Sequence, residues 1–197
     1  LSTCSSCYQD YDILEYALKG LGDLCEHNIK YQNIMIELDA VKIIVNVVEN
    51  DKDNDFDHTT VLTHAWRVLS SICRVKTAAH ELCALDGPAL TVKSIHSAAN
   101  DGKLVLACVK AIRSMSVDEE HHLALMKAKI VGVLFLAAGA HHESEAMLLA
   151  CVQAMGHLIA NRNAMPCNSS FLVKPVKQNA KKPPPAKATA YGKKKKK

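Results

Sequence analysis

The sequence predicts an all-α solenoid, a stack of helices built from one repeated unit, and three observations carry that prediction. First, the decapeptide His64–Cys73 (HAWRVLSSIC) recurs in altered form as YALKGLGDLC (Tyr16–Cys25), ACVKAIRSMS (Ala107–Ser116) and ACVQAMGHLI (Ala150–Ile159). Aligned on Leu21, Leu69, Ile112 and Met155, the copies are 48, 43 and 43 residues apart, a period that belongs to helical repeat arrays. Second, each copy repeats apolar residues at offsets 0, 4, 7, 8 and 11, which share one face of a helix and no face of a strand. Third, 49% of the 197 residues are hydrophobic but only 5% are aromatic, so small aliphatic side chains do the packing, as close stacking of helices requires.

The aligned apolar sets are Ile13/Ala17/Gly20/Leu21/Leu24, Val61/Ala65/Val68/Leu69/Ile72, Leu104/Cys108/Ala111/Ile112/Met115 and Met147/Cys151/Ala154/Met155/Leu158. No such helix buries its stripe alone, so its neighbours in the stack must cover it. In chain order, a polar segment 1–10 precedes a helix over Tyr11–Glu26. Short helices follow near Asn28–Leu38 and Asp39–Glu49, and an acidic insertion (Glu49–His58) leads to a long helix near Thr59–Arg74. The next unit uses Thr77–Leu85, a break at Asp86-Gly87-Pro88 where glycine permits the turn and proline opens the next helix, and a helix to Ala99. A turn at Asn100-Asp101-Gly102 leads into the third copy. The last unit spans Val117–Ala128, Lys129–Ala140 and Glu143–Ala160, so the repeat domain is 11–163. The tail, 164–197, carries Pro183-Pro184-Pro185 and reads as disordered.

The endings GLGDLC, VLSSIC, AIRSMS and AMGHLI resemble the third helix of an armadillo repeat, commonly A-L-x-N-L-A, over roughly Asp12 to Ala160. The resemblance implies an armadillo-like right-handed superhelical solenoid of about three repeats plus one preceding helix, with the third helices lining a concave groove. The usual asparagine is replaced by Asp23, Ser71, Ser114 and His157. One turn earlier stand Lys19, Arg67, Lys110 and Gln153, with Arg113 beside Lys110. Stacked helices lie about 8–10 Å apart and an extended peptide advances ~3.3 Å per residue, so a carboxylate at every third position of a partner matches this ladder. The leading expectation is a non-catalytic protein-interaction scaffold that binds an acidic segment. Import receptors of this fold use a Trp–Asn ladder for basic cargo. Here Trp66 falls one residue before Arg67 and the asparagines are missing, so that activity is not expected.

Charge supplies the alternative. From Lys174 onward there are ten lysines and no acid, whereas the remainder carries 14 basic residues against 20 acidic ones. Such a tail attracts RNA, DNA, anionic lipid or acidic protein tails. Lys193–Lys197 also fits translation into a poly(A) end or a solubilising extension, and a chain that starts without Met fits a fragment lacking upstream repeats. Eight cysteines among helical periodicity read as free thiols in a reducing compartment, so a cytoplasmic protein is expected, with the nucleus as the alternative.

The remaining motifs do not assemble a site. Asp51-Lys-Asp53-Asn-Asp55 resembles the start of a calcium loop, which needs Gly sixth and Glu twelfth; those positions hold Phe56 and Leu62. Cys4-x-x-Cys7 supplies half the ligands of a structural zinc site. There is no phosphate-binding glycine loop, G-x-S-x-G or H-E-x-x-H. No enzyme activity, metal or cofactor is expected, and no apolar run approaches the ~20 residues that span a bilayer.

Overall fold

The computed structural model describes residues 11–50 and 58–164, and these are helical throughout apart from short connections. The helices are α1 (Tyr11–Cys25), α2 (Ile29–Glu37), α3 (Ala40–Asn50), α4 (His58–Ile72), α5 (Lys76–Ala84), α6 (Gly87–Ser97), α7 (Gly102–Ser116), α8 (His122–Lys127), α9 (Ile130–Ala140) and α10 (Glu145–Ala164). A 3₁₀ turn, Glu119–His121, precedes α8. The segment 1–10, the acidic run 51–57 and the tail beyond 164 lie outside the described residues. No single described helix is long and apolar enough to cross a membrane.

The long helices pack in succession, α1 on α4, α4 on α7 and α7 on α10, and these are the most extensive helix pairs among the described residues. Their apolar stripe follows from the sequence. Val61, Ala65, Val68, Leu69 and Ile72 of α4 are buried, as are Leu104, Cys108, Ala111, Ile112 and Met115 of α7. In α10 Met147, Cys151, Ala154 and Leu158 are buried, with Met155 packed at the edge. Such tandem packing is the pattern of a helical solenoid.

The first copy departs from its expected alignment. Ile13 and Leu24 are exposed at 43% and 52%, while Leu14, Leu18, Gly22 and Cys25 are buried. The buried face of α1 is therefore one residue later, and its spacing to α4 is 47 rather than 48. The backbone supports that register independently. Asp39, Asp86 and Lys129 adopt left-handed conformations, φ 53°, 56° and 59°, at the corresponding junctions α2–α3, α5–α6 and α8–α9, and they are 47 and 43 residues apart. The eleven-residue helices α3, α6 and α9 follow these turns. The extra length falls mainly in the connection 51–57, against the shorter connections 98–101 and 141–144.

Two further details differ from expectation. The segment 117–118 is not helical, and the helix expected from Val117 opens as the 3₁₀ turn at Glu119. At Asp86-Gly87-Pro88 it is Asp86 that takes the left-handed turn, and Gly87 has no positive φ. Glycine is needed there for space, because a Cβ on Gly87 would lie 2.6 Å from the Leu82 carbonyl oxygen.

Trp66, Gln32 and two helix caps show how polar groups inside the stack are satisfied. Trp66 on α4 is fully buried and donates Nε1–H to Ser94 Oγ on α6 at 3.0 Å. Gln32 on α2 donates Nε2–H to the Cys25 carbonyl at 2.8 Å and so closes the end of α1. Asn28 and Asp101 cap α2 and α7 by accepting from backbone amides two or three residues on, which satisfies donors that a helix start leaves open.

Leu69→Ala and Ile112→Ala should each destabilise the fold by about 2–5 kcal/mol, measured by chemical unfolding. Gly87→Ala should cost about 1–3 kcal/mol through the clash with Leu82. Gly156→Ala, in open space on α10, should be neutral or stabilise by up to about 1 kcal/mol.

Candidate functional site

Of the polar residues singled out on the long helices, Arg67 contacts Asp23 across α1–α4 and Arg113 contacts Gln153 across α7–α10. Arg67 of α4 reaches back to α1, where its Nη2 lies 2.8 Å from Asp23 Oδ1 and also bonds the Glu26 carboxylate. Lys110 of α7 is half-buried, close enough to Glu26 to favour that carboxylate's charge. Arg113 of α7 donates Nη1–H to Gln153 Oε1 of α10 at 2.9 Å. His157 lies further along α10 and shares a cleft with Arg113 and Ser114. Lys19 is exposed on α1, near His64 of α4.

This geometry changes what each residue can offer. Arg67 is paired with two carboxylates, so its charge is balanced inside the chain. Ser71 and Ser114 are buried. Ser71 donates to the Arg67 carbonyl at 3.0 Å, and Ser114 lies 3.2 Å from the carbonyls of both Ser70 and Lys110. Hydroxyls that bond backward along a helix, and in one case across to α4, serve the stack and not its surface. In the corrected register Lys19 and Asp23 are each one residue out of line with Arg67 and Ser71. The cation ladder is therefore broken at its first rung, though Asp23 still reaches Arg67.

Two residues outside the expected set prove important. Glu26 supplies the second carboxylate to Arg67, and Arg74, just past α4, donates Nη1–H to the Glu26 carbonyl at 3.0 Å. Both lie beyond the repeated decapeptides, and contacts across 41 and 48 residues leave no local signal. Lys110, Arg74 and Arg113 have no carboxylate partner among the described residues. By contrast Lys42 pairs with Asp39 and Glu81, and Lys76 with Asp118 and Glu120.

The described cysteines, Cys25, Cys73, Cys83, Cys108 and Cys151, are unpaired thiols. Burial pushes Cys73 and Cys108 well up, and pushes Cys83 to about 12, which suppresses the reactive thiolate. Burial also lowers the His64 pKa; its Nδ1 has no hydrogen-bond partner, nor do His121 Nε2 and His122 Nδ1. No group of three or more His, Cys, Asp or Glu among the described residues is arranged to hold a metal.

The Arg67–Glu26 pair makes a pH prediction. The hydrogen bond from Arg67 holds the Glu26 carboxyl below its ordinary value. The stabilisation is then complete above the ordinary value near 4.5 and is lost as the pH falls through the lowered one. The pair is about one-third exposed, so its size is at most ~1 kcal/mol. Unfolding of Glu26→Gln across the acid limb should show a shallower pH dependence than the parent.

No family model and no curated relative matches the chain. Its fold is similar to that of a solved structure, an engineered protein from the Northeast Structural Genomics Consortium, with a TM-score of 0.65 at 16% identity. The match covers 76% of this chain and 57% of that one, so the chain spans little more than half the length of the structure it resembles. At that identity the likeness shows the all-α, tandem-helical architecture alone.

Proposed function

We propose that the chain is an armadillo-type interaction scaffold without catalytic activity. In this reading about three three-helix repeats follow α1 in a right-handed superhelix, and the face formed by α1, α4, α7 and α10 is a groove for an acidic segment of a protein partner. The observations that carry it are the cross-helix contacts of Arg67 with Asp23 and Glu26 and of Arg113 with Gln153, with Lys110 near enough to Glu26 to act on its charge. These contacts line up polar side chains on successive helices of one stack. Stacked repeats commonly use such extended surfaces for binding, and fold alone does not name the partner.

The partner's acids would engage Lys110, Arg113 and Arg74, whose charges are not internally neutralised. At Arg67 they would have to displace Glu26. The outward stripe of α1, with Ile13, Tyr16 and Leu24 exposed, supports a reading in which a preceding repeat covers that end. A cytoplasmic setting, with the nucleus as the alternative, accords with the free thiols.

The ten lysines from Lys174 onward, unaccompanied by any acid, favour a second reading, a polyanion-binding tail. The two are separated by testing the chain lacking 174–197 and a Lys110→Glu variant against an acidic peptide and against RNA. The groove reading predicts that Lys110→Glu weakens the peptide about tenfold or more while the truncation does not. Loss of both ligands on truncation, with Lys110→Glu unchanged, would overturn it in favour of the tail.

A further inference from the structure

Past the end of α4 and beside the last turn of α7 lies a cleft of about 280 Å³, walled by Arg74, Lys76, Arg113, Ser114, Asp118 and His157. Its charges do not balance. Asp118, the only carboxylate among the described residues on its walls, is taken by Lys76, 3.1 Å away. That leaves two guanidinium groups in one cleft. Among the described residues each has a neutral hydrogen-bond partner only: the Glu26 carbonyl for Arg74 and the Gln153 side-chain oxygen for Arg113. Burial first, and then the neighbouring charge of Arg74, lower the Arg113 pKa, as like charges brought together in a partly dry site must do.

A guanidinium carries five donors in a planar fork, and each of these two has one engaged with protein. Two forks facing a common space, with most donors open and a mutual repulsion to relieve, match an oxyanion. Arg67 makes the contrast within the same stack, since Asp23 and Glu26 already fill that role for it. Ser114 adds no donor, because its hydroxyl is bonded within the stack.

We infer that the cleft between Arg74 and Arg113 is an oxyanion site that receives an anionic side chain of the partner segment, a carboxylate or a phosphomonoester. The site rests on the scaffold reading for its biological ligand, while its affinity for a small oxyanion does not. Charge-assisted bonds from two forks hold the anion across the α4–α7 step, and binding neutralises the repulsion between the two guanidinium groups.

The test is a titration of the full chain, labelled at the arginine side chains, with inorganic phosphate and separately with acetate at constant ionic strength. Arginine Nε resonances are followed by NMR. Saturable shifts at Arg74 and Arg113, with Arg67 unmoved, are expected. Affinity should fall about tenfold or more in Arg74→Gln, a change at an exposed side chain. Tighter binding of phosphate identifies a phosphomonoester as the natural group, and equal or tighter acetate a carboxylate. Shifts that are linear for both probes, or equal at Arg67, would overturn the site. The acidic-peptide assay separates the two ideas. Saturable phosphate binding without peptide binding leaves the site standing and removes the scaffold reading. Peptide binding unchanged in Arg74→Gln/Arg113→Gln leaves the scaffold and removes the site.

Discussion

The apolar seam shared by α1, α4, α7 and α10 is the constraint on which everything else depends. On α4 and α7 the stripe is buried along its whole length, and Gly22, Ala65, Cys108, Ala111, Cys151 and Ala154 keep it narrow enough for close approach. A helix so committed has its polar flank dictated as well. Residues one position off the stripe, such as Arg67 before Val68, must emerge at the helix–helix boundary. From there Arg67 and Arg113 reach the neighbouring long helices. The contacts from Arg67 to Asp23 and Glu26 and from Arg113 to Gln153 are thus consequences of the seam.

Magnitudes separate stability from surface chemistry. A buried leucine on the seam is worth about 2–5 kcal/mol on truncation, whereas a partly exposed ion pair contributes at most ~1 kcal/mol. The ion pairs therefore do not hold the array together. What they do is decide which cations remain for an outside partner. Arg67 is silenced by Asp23 and Glu26, while Lys110, Arg74 and Arg113 keep their charges open.

Sequence periodicity disclosed the helical class, most helix bounds and the buried stripe of α4, α7 and α10, because the repeated offsets fall on one face of a helix. It misplaced α1 by one residue. YDILEYALKGLGDLC holds two apolar stripes, Ile13/Leu24 and Leu14/Leu18, and only the second is buried. The alignment on Leu21 chose the exposed stripe. Gly87 was misassigned because a turn signal and a close-packing signal use the same residue, and only coordinates show Leu82 pressed against it. The pairing of Arg67 was invisible because Glu26 is 41 residues away, outside the repeated motif.

A stack in which each long helix depends on its neighbours makes a specific demand on local stability, and native-state hydrogen exchange reads it most directly. Interior helices α4 and α7 are gripped on two sides, whereas α1 and α10 are each gripped by one long helix. Nearest-neighbour coupling then lets the ends open without the middle. Amides of α4 and α7 should exchange slowest, with α1 and α10 measurably faster. Protection in α1 and α10 equal to that in α4 and α7 would contradict the account, because the chain would then open as one unit and not as a stack of coupled helices.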